Sequence, residues 1–276
     1  MTRPFRQVDV FTSVPYRGNP LAVVLDGSGL SDADMQRFAH WTNLSETTFV
    51  LPPTTPSGDY RVRIFHPEAE IPFAGHPTLG TCHAWLEAGG RPNRDDVIVQ
   101  ECGAGLIEIR RTATGLAFQE PPLIRSGPVD AADLESLIDQ LGVPRSAVVD
   151  SQWLDNGPGW VGLLLASADD VLGLRPPAVR QDIGVIGPYP AGSEIGFEVR
   201  AFYPQGGGMV EDPVTGSLNA SFAGWLIRSG RAAAPWVAAQ GTALGRAGRV
   251  EVTQDADGGI WVGGASVTCI AGEVEL

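Results

Sequence analysis

Residues 73–80, FAGHPTLG, and residues 211–220, EDPVTGSLNA, write one pattern twice: a strand runs into a short Gly/Pro loop and a helix begins. The flanks repeat too. VRIFHP (62–67) matches VRAFYP (199–204), HPTLGT (76–81) matches DPVTGS (212–217), and WLEAGGR (85–91) matches WLIRSGR (225–231). The offsets are 137, 136 and 140 residues. The step from 136 to 140 predicts one extra turn, about 3.6 residues, within the second helix. This alignment sets His76 and Asp212 at equivalent positions. It predicts two copies of one α/β unit, related by a pseudo-two-fold axis, with a cleft between them.

Each copy opens a helix whose first backbone N–H groups have no intrahelical acceptor. Such starts attract anions and offer directed hydrogen bonds to them. A small carboxylate suits them better than a nucleotide, because the chain has no G-x-G-x-x-G and CGAGLIEI (102–109) keeps only its first two glycines. Turn formation alone would explain Gly75, Pro77, Pro213 and Gly216, but the recurrence of the pattern with an ionisable residue in each loop favours a site. Ser217 reads both as a helix N-cap and as a ligand contact.

The remaining chain reads as alternating strands and helices. FRQVDVFT and PLAVVLD are strands, and Ser31 with Asp34 starts a helix carrying Met35, Phe38, Ala39 and Thr42 on one face. TTFVLPP and YRVRIFHP are strands, followed by a helix with a Leu79, Cys82, Leu86 stripe that ends at Gly89. A meander follows. Composition turns proline-rich over residues 120–130, which divides the chain into 1–122 and 123–276, a return of the last strand to the first unit being left open. The second part opens with a helix capped by Asp130 that buries Leu134, Leu137, Ile138 and Leu141. Two strands, a glycine-rich link, a helix from Ser217 and closing strands from Arg249 complete it.

Composition excludes several functions. The net charge of −13 is scattered and argues against nucleic acid as a partner. All 19 basic residues are arginine, so neither a pyridoxal Schiff base nor a P-loop lysine can form. Cys82, Cys102 and Cys269 lack metal-like spacing and read as buried thiols, with no metal site. No apolar run reaches membrane-spanning length, which argues against a membrane partner, and the N-terminus lacks a signal-peptide pattern; the expected compartment is the cytoplasm. A general base is available in NLSETTFVL: Glu46 lies between a helix and an apolar strand, where Leu44, Phe49 and Val50 would partly desolvate it and raise its pKa. Asn19 and Glu70 are candidate cleft-edge residues, Asn19 reading equally as a turn former. His40, His66 and His83 read as structural.

GNPLAVV, NLSETTFV, FHPEAEIPFAGHPTLG and EDPVTGSLNA, in this order and spacing, resemble the signature segments of the PhzF phenazine-biosynthesis family, within the diaminopimelate epimerase-like fold. The resemblance covers essentially the whole chain. It implies an α+β fold of two pseudo-symmetric domains, each a curved, mostly antiparallel sheet wrapped around a central helix, with the active site in the cleft between them. It further implies a cytoplasmic homodimer that uses no cofactor and isomerises a small, cyclic carboxylate, trans-2,3-dihydro-3-hydroxyanthranilate or an analogue, by glutamate-mediated proton transfer. Carried over by position, Glu46 is the acid/base, His76, Asp212 and Ser217 are supporting polar groups, the Gly75 and Gly216 amides hold the carboxylate, and Asn19 joins the substrate-binding set. Epimerases of this fold use two cysteines, one per loop; here Ala74 precedes Gly75 and EDPVTGS has none, which argues against two-thiol racemisation. Racemisation by Glu46 with His76 or Asp212, or carboxylate binding without catalysis, are the alternatives. The stretch 155–174, with Trp153 and Trp160 nearby, is where the substrate pocket is expected to differ.

Overall fold

The computed structural model describes residues 1–205 and 207–276; Gly206, in the glycine-rich link, lies outside them. The chain forms two compact units, one of Met1–Gln119 with Gly263–Leu276 and one of Glu120–Val262.

In the first unit the strand Thr2–Val10 pairs antiparallel with both Ser266–Glu275 and Asn19–Val24. Asn19–Val24 runs parallel to Thr47–Leu51, which pairs antiparallel with Tyr60–Phe65. Tyr60–Phe65 is parallel to Val97–Cys102, and an antiparallel meander continues through Gly105–Arg111 and Leu116–Gln119. Helix α1 (Asp32–Thr42) starts on the Ser31 side chain, which accepts from the Asp34 N–H, and ends at Asn43 in the left-handed region. Its Met35, Phe38 and Ala39 pack with Val24, Phe49 and Phe65. Helix α2 (Gly75–Glu87) packs on the strands Thr2–Val10 and Asn19–Val24. Leu21 approaches α2 while Val24 lies in the α1 cluster, so alternate residues serve opposite faces of the strand and both faces are apolar.

The predicted stripe on α2 is too narrow. Gly75 through Cys82 and Ala84 are all buried, whereas Leu86 is half-buried, so the first two turns are enclosed on every side and not along one stripe. Gly80 shows how close the packing is, since a Cβ there would lie 2.6 Å from Leu21 Cδ2 and 2.7 Å from Val10 Cγ2.

The second unit repeats the pairing scheme. Arg125–Pro128, Val148–Asp155 and Val161–Leu165 are joined antiparallel, Val161–Leu165 is parallel to Ile183–Pro188, and Ile183–Pro188 is antiparallel to Phe197–Gln205. Phe197–Gln205 is parallel to Trp236–Gln240, which turns back into Gly248–Gln254. Helices α3 (Ala131–Leu141) and α4 (Ala168–Gly173) contribute Leu137, Ile138, Leu141 and Val171 to one core cluster. Helix α5 (Gly216–Arg228) is buried along most of its length and lies close to other strand positions, with Leu218 against Gly184 and Phe222 against Gly162. Each unit is thus a mostly antiparallel sheet with a buried helix, and the fold class is α+β.

The predicted alignment of the loops needs correction. Helices α2 and α5 both have 13 residues, so no turn is inserted within the second. The difference falls before the helix, where the strand Gly208–Asp212, antiparallel to Phe197–Gln205, is longer than its counterpart Glu70–Ile71, antiparallel to Tyr60–Phe65. His76 is the second residue of α2, but Asp212 ends that strand four residues before α5. They are not equivalent. Of the three cysteines only Cys82 is buried, its thiol pushed up to about 12 by burial, while Cys102 and Cys269 are half-buried.

Candidate active site

In the first unit the candidate residues gather at one end of the sheet. Asn19 begins its strand and is buried, and Glu46 directly precedes the neighbouring parallel strand, whose Thr47 faces Ala22. A hydrogen bond of 2.8 Å between the Thr42 and Thr47 hydroxyls spans the turn that carries Glu46. Across from it stands α2. His76 Nδ1 lies 3.0 Å from Glu46 Oε2, with side-chain exposures of 4% and 16%. The contact is close without being aligned as a hydrogen bond on that oxygen. A carboxylate and an imidazole in contact and largely withdrawn from water are suited to exchanging a proton.

Asn19 owes its place to a residue that sequence reading missed. Asp9, buried on the first strand, accepts from the Arg17 N–H at 2.7 Å and the Gly18 N–H at 2.9 Å. It thereby fixes the turn that leads into Asn19. An aspartate between Val8 and Val10 in an otherwise apolar strand end was the available signal.

In the second unit Asp212, Gly216 and Ser217 surround the start of α5. Thr215, not Ser217, is the N-cap residue. Its hydroxyl is committed to Asp212, donating to Oδ2 at 2.6 Å. The start of α5 therefore has no side-chain cap, and neither does that of α2, where Ala74 occupies the cap position. Helices α1, α3 and α4 are all capped by Ser or Asp side chains. The two exceptions are the two helices whose Gly75 and Gly216 amides the sequence marks as carboxylate donors. No acidic side chain occupies either first turn, so nothing there competes with a bound anion for the helix dipole.

Gln240 organises the second loop, and sequence reading missed it. Its Oε1 accepts from the Thr215 N–H at 3.0 Å and from Asn219 Nδ2 at 2.8 Å. Its Nε2 donates to the Asp212 carbonyl at 3.2 Å and to Thr215 Oγ1 at 2.8 Å. The first unit has a counterpart in Gln100, which accepts from the Tyr60 hydroxyl and donates to Thr78 Oγ1, both at 2.9 Å. Thr78 and Asn219 are each the fourth residue of their helix.

The remaining candidates each have a protein partner. Glu70 forms a two-pronged pair with Arg63, with bonds of 2.8 and 2.6 Å. His40 Nδ1 faces the Pro67 carbonyl, and His66 Nδ1 accepts from the Glu68 N–H. His83 meets Thr268, its pKa lowered by burial against a smaller opposing effect of Glu87. Among the described residues, no group of three or more His, Cys, Asp or Glu side chains could hold a metal ion, and no helix is long and apolar enough to cross a membrane.

Comparison with known proteins identifies the family. The model of the family described as phenazine biosynthesis-like protein matches residues 8–272. The chain is 38% identical to "Antisense-enhancing sequence 1" of Schizosaccharomyces pombe, over 98% of this chain and 97% of that one. It is 35% identical to trans-2,3-dihydro-3-hydroxyanthranilate isomerase of Pseudomonas fluorescens, over 87% and 86% of the two chains. Among solved structures it resembles a Bacillus anthracis phenazine biosynthesis protein of the PhzF family, with a TM-score of 0.84 at 24% identity over all of both chains. A family match over nearly the whole length, joined to this likeness to a named isomerase, places the chain in the phenazine biosynthesis-like family, among its isomerases.

Proposed function

We propose that this protein isomerises a small, cyclic carboxylate, trans-2,3-dihydro-3-hydroxyanthranilate or an analogue, by moving a proton between substrate carbons with Glu46 as acid and base. The observation that carries the reading is the mostly buried Glu46 carboxylate 3.0 Å from His76 at the uncapped start of α2. Glu46 takes a proton from one carbon and returns it to another. His76 steadies the carboxyl group through both states, and the Gly75 amide receives the substrate carboxylate. Asn19 belongs to the same binding set. On the second unit Gly216 and Ser217 are assigned as further donors and Asp212 as a supporting polar group. A positioned general acid/base contributes about 10²–10⁴-fold in rate.

The test is incorporation of solvent deuterium into trans-2,3-dihydro-3-hydroxyanthranilate during turnover. Glu46→Gln is expected to slow both turnover and incorporation by about 10²-fold or more. Exchange at the wild-type rate in that variant removes Glu46 from the mechanism.

A further inference from the structure

Ser217 is the second residue of α5, and its role here rests on the proposed function, which makes its hydroxyl a donor to substrate. A hydroxyl has one proton to give and two lone pairs to accept with, whereas an indole N–H only donates. Trp160 Nε1 donates to Ser217 Oγ at 3.1 Å, so Ser217 is the acceptor in that bond. Among the described residues, no acceptor takes up the hydroxyl's own proton. In mid-helix a serine turns its proton back to the carbonyl one turn earlier; Ser217 lies in the first turn of α5, where no helical carbonyl precedes it. The indole N–H occupies one lone pair and fixes where the oxygen sits, leaving the hydroxyl proton to be given to another group.

The segment bearing Trp160 is built to keep it there. Asp155 Oδ1 accepts from the Gly157 and Gly159 N–H groups at 2.8 and 2.9 Å, and the Leu154 N–H donates to the Trp160 carbonyl at 2.9 Å. Asn156 Nδ2, from the same loop, donates to the Ser217 backbone carbonyl at 2.9 Å. Trp160 itself is 4% exposed, so its ring is held on all sides. The loop therefore grips Ser217 twice, once on the side chain and once on the backbone.

We propose that Trp160 and Asn156 are positioning residues of the reaction, holding Ser217 as a hydrogen-bond donor to the substrate carboxylate, and that the loop Asp155–Trp160 thereby sets affinity for that group. The test is a double-mutant cycle of wild type, Trp160→Phe, Ser217→Ala and the double variant. Phenylalanine keeps an aromatic ring and lacks the N–H. The readouts are KM and kcat for trans-2,3-dihydro-3-hydroxyanthranilate and the Kd of 3-hydroxyanthranilate by calorimetry. Trp160→Phe is expected to raise KM and Kd about fivefold to tenfold, the loss of one net hydrogen bond, with kcat changed less than about twofold. In the Ser217→Ala background the same substitution is expected to have almost no effect, because the two residues act as one unit. Asn156→Ala is expected to raise Kd in the same direction, with partial rescue by Asn156→Gln.

Effects that multiply independently in the double variant overturn the positioning role, as does an unchanged Kd in Trp160→Phe. A wild type that binds 3-hydroxyanthranilate but exchanges no substrate proton overturns the catalytic reading alone, and the binding cycle then decides the positioning role. A wild type that binds neither compound overturns both.

Discussion

Replacing Gln240 with alanine removes an amide that is fully buried and makes four hydrogen bonds. Two of its partners keep a second bond: Asn219 Nδ2 still donates to the Thr215 carbonyl, and Thr215 Oγ1 still donates to Asp212. The Thr215 N–H loses the partner that Gln240 provided. A buried group left unsatisfied costs about 1–3 kcal/mol, and each remaining bond lost costs about 0.5–1.5 kcal/mol net. Gln240→Ala is therefore expected to destabilise the protein by about 3–5 kcal/mol, lowering the melting temperature by roughly 10 °C for a chain of this size. Thermal unfolding followed by circular dichroism reads this directly. Gln240→Glu is the sharper companion. It keeps both acceptor contacts but loses a donor, and its carboxyl is ionised against burial at high pH. Its deficit should therefore be larger at pH 8 than at pH 5. A Gln240→Ala protein that melts within about 2 °C of wild type would show that the amide does not hold the loop.

Two further substitutions probe the scaffold. Asp182 is pushed up to about 6, first by burial and then by the charge of Asp155. The folded state therefore holds this proton more tightly than the unfolded state. The contribution is favourable below about pH 4 and is lost as pH rises through about 6. Discounted for partial exposure, Asp182→Asn should stabilise the protein by about 1–2 kcal/mol at pH 8 and hardly at all at pH 4, which a series of melting curves across pH would reveal; a pH-independent gain would refute the assignment. At Gly18 an added Cβ would lie 2.1 Å from the Val10 carbonyl oxygen, a backbone atom that cannot step aside. Gly18→Ala should cost about 3 kcal/mol or more, and an unchanged urea midpoint would contradict the close approach.

The duplication was legible because local chemistry repeats with the fold: in VRIFHP Arg63 pairs with Glu70 and lies over Phe65, and in VRAFYP Arg200 pairs with Glu211 and lies over Phe202. The caps of α1 and α3 were legible for a similar reason: Ser31 and Asp130 act within three residues of themselves. The equivalence of His76 and Asp212 failed where two local signals disagreed. Both precede proline, and the match of HPTLGT to DPVTGS follows that dipeptide. Proline, however, is tolerated both within a first helical turn and just before a helix. Pro77 takes the first place and Pro213 the second, so the shared letters mark different points along the path.

The buried amides were harder to see because their partners are distant in sequence. Nothing within Trp236–Gln240 indicates that its last residue serves a loop some 25 positions earlier. The clue lay in the comparison of halves: Gln100 and Gln240 are separated by 140 residues, the same offset as Trp85 and Trp225. Each interrupts or ends an apolar strand that runs parallel to its unit's repeated strand. Chemistry then narrows the residue type. The position in the second unit must accept from a backbone N–H and an amide while donating to a carbonyl and a hydroxyl, all without introducing charge. A carboxylate cannot donate, and arginine cannot accept; a glutamine side chain does both and is long enough to reach. A buried glutamine recurring in two largely apolar strands is therefore better read as the fastening of each buried helix to its sheet than as a flaw in the core.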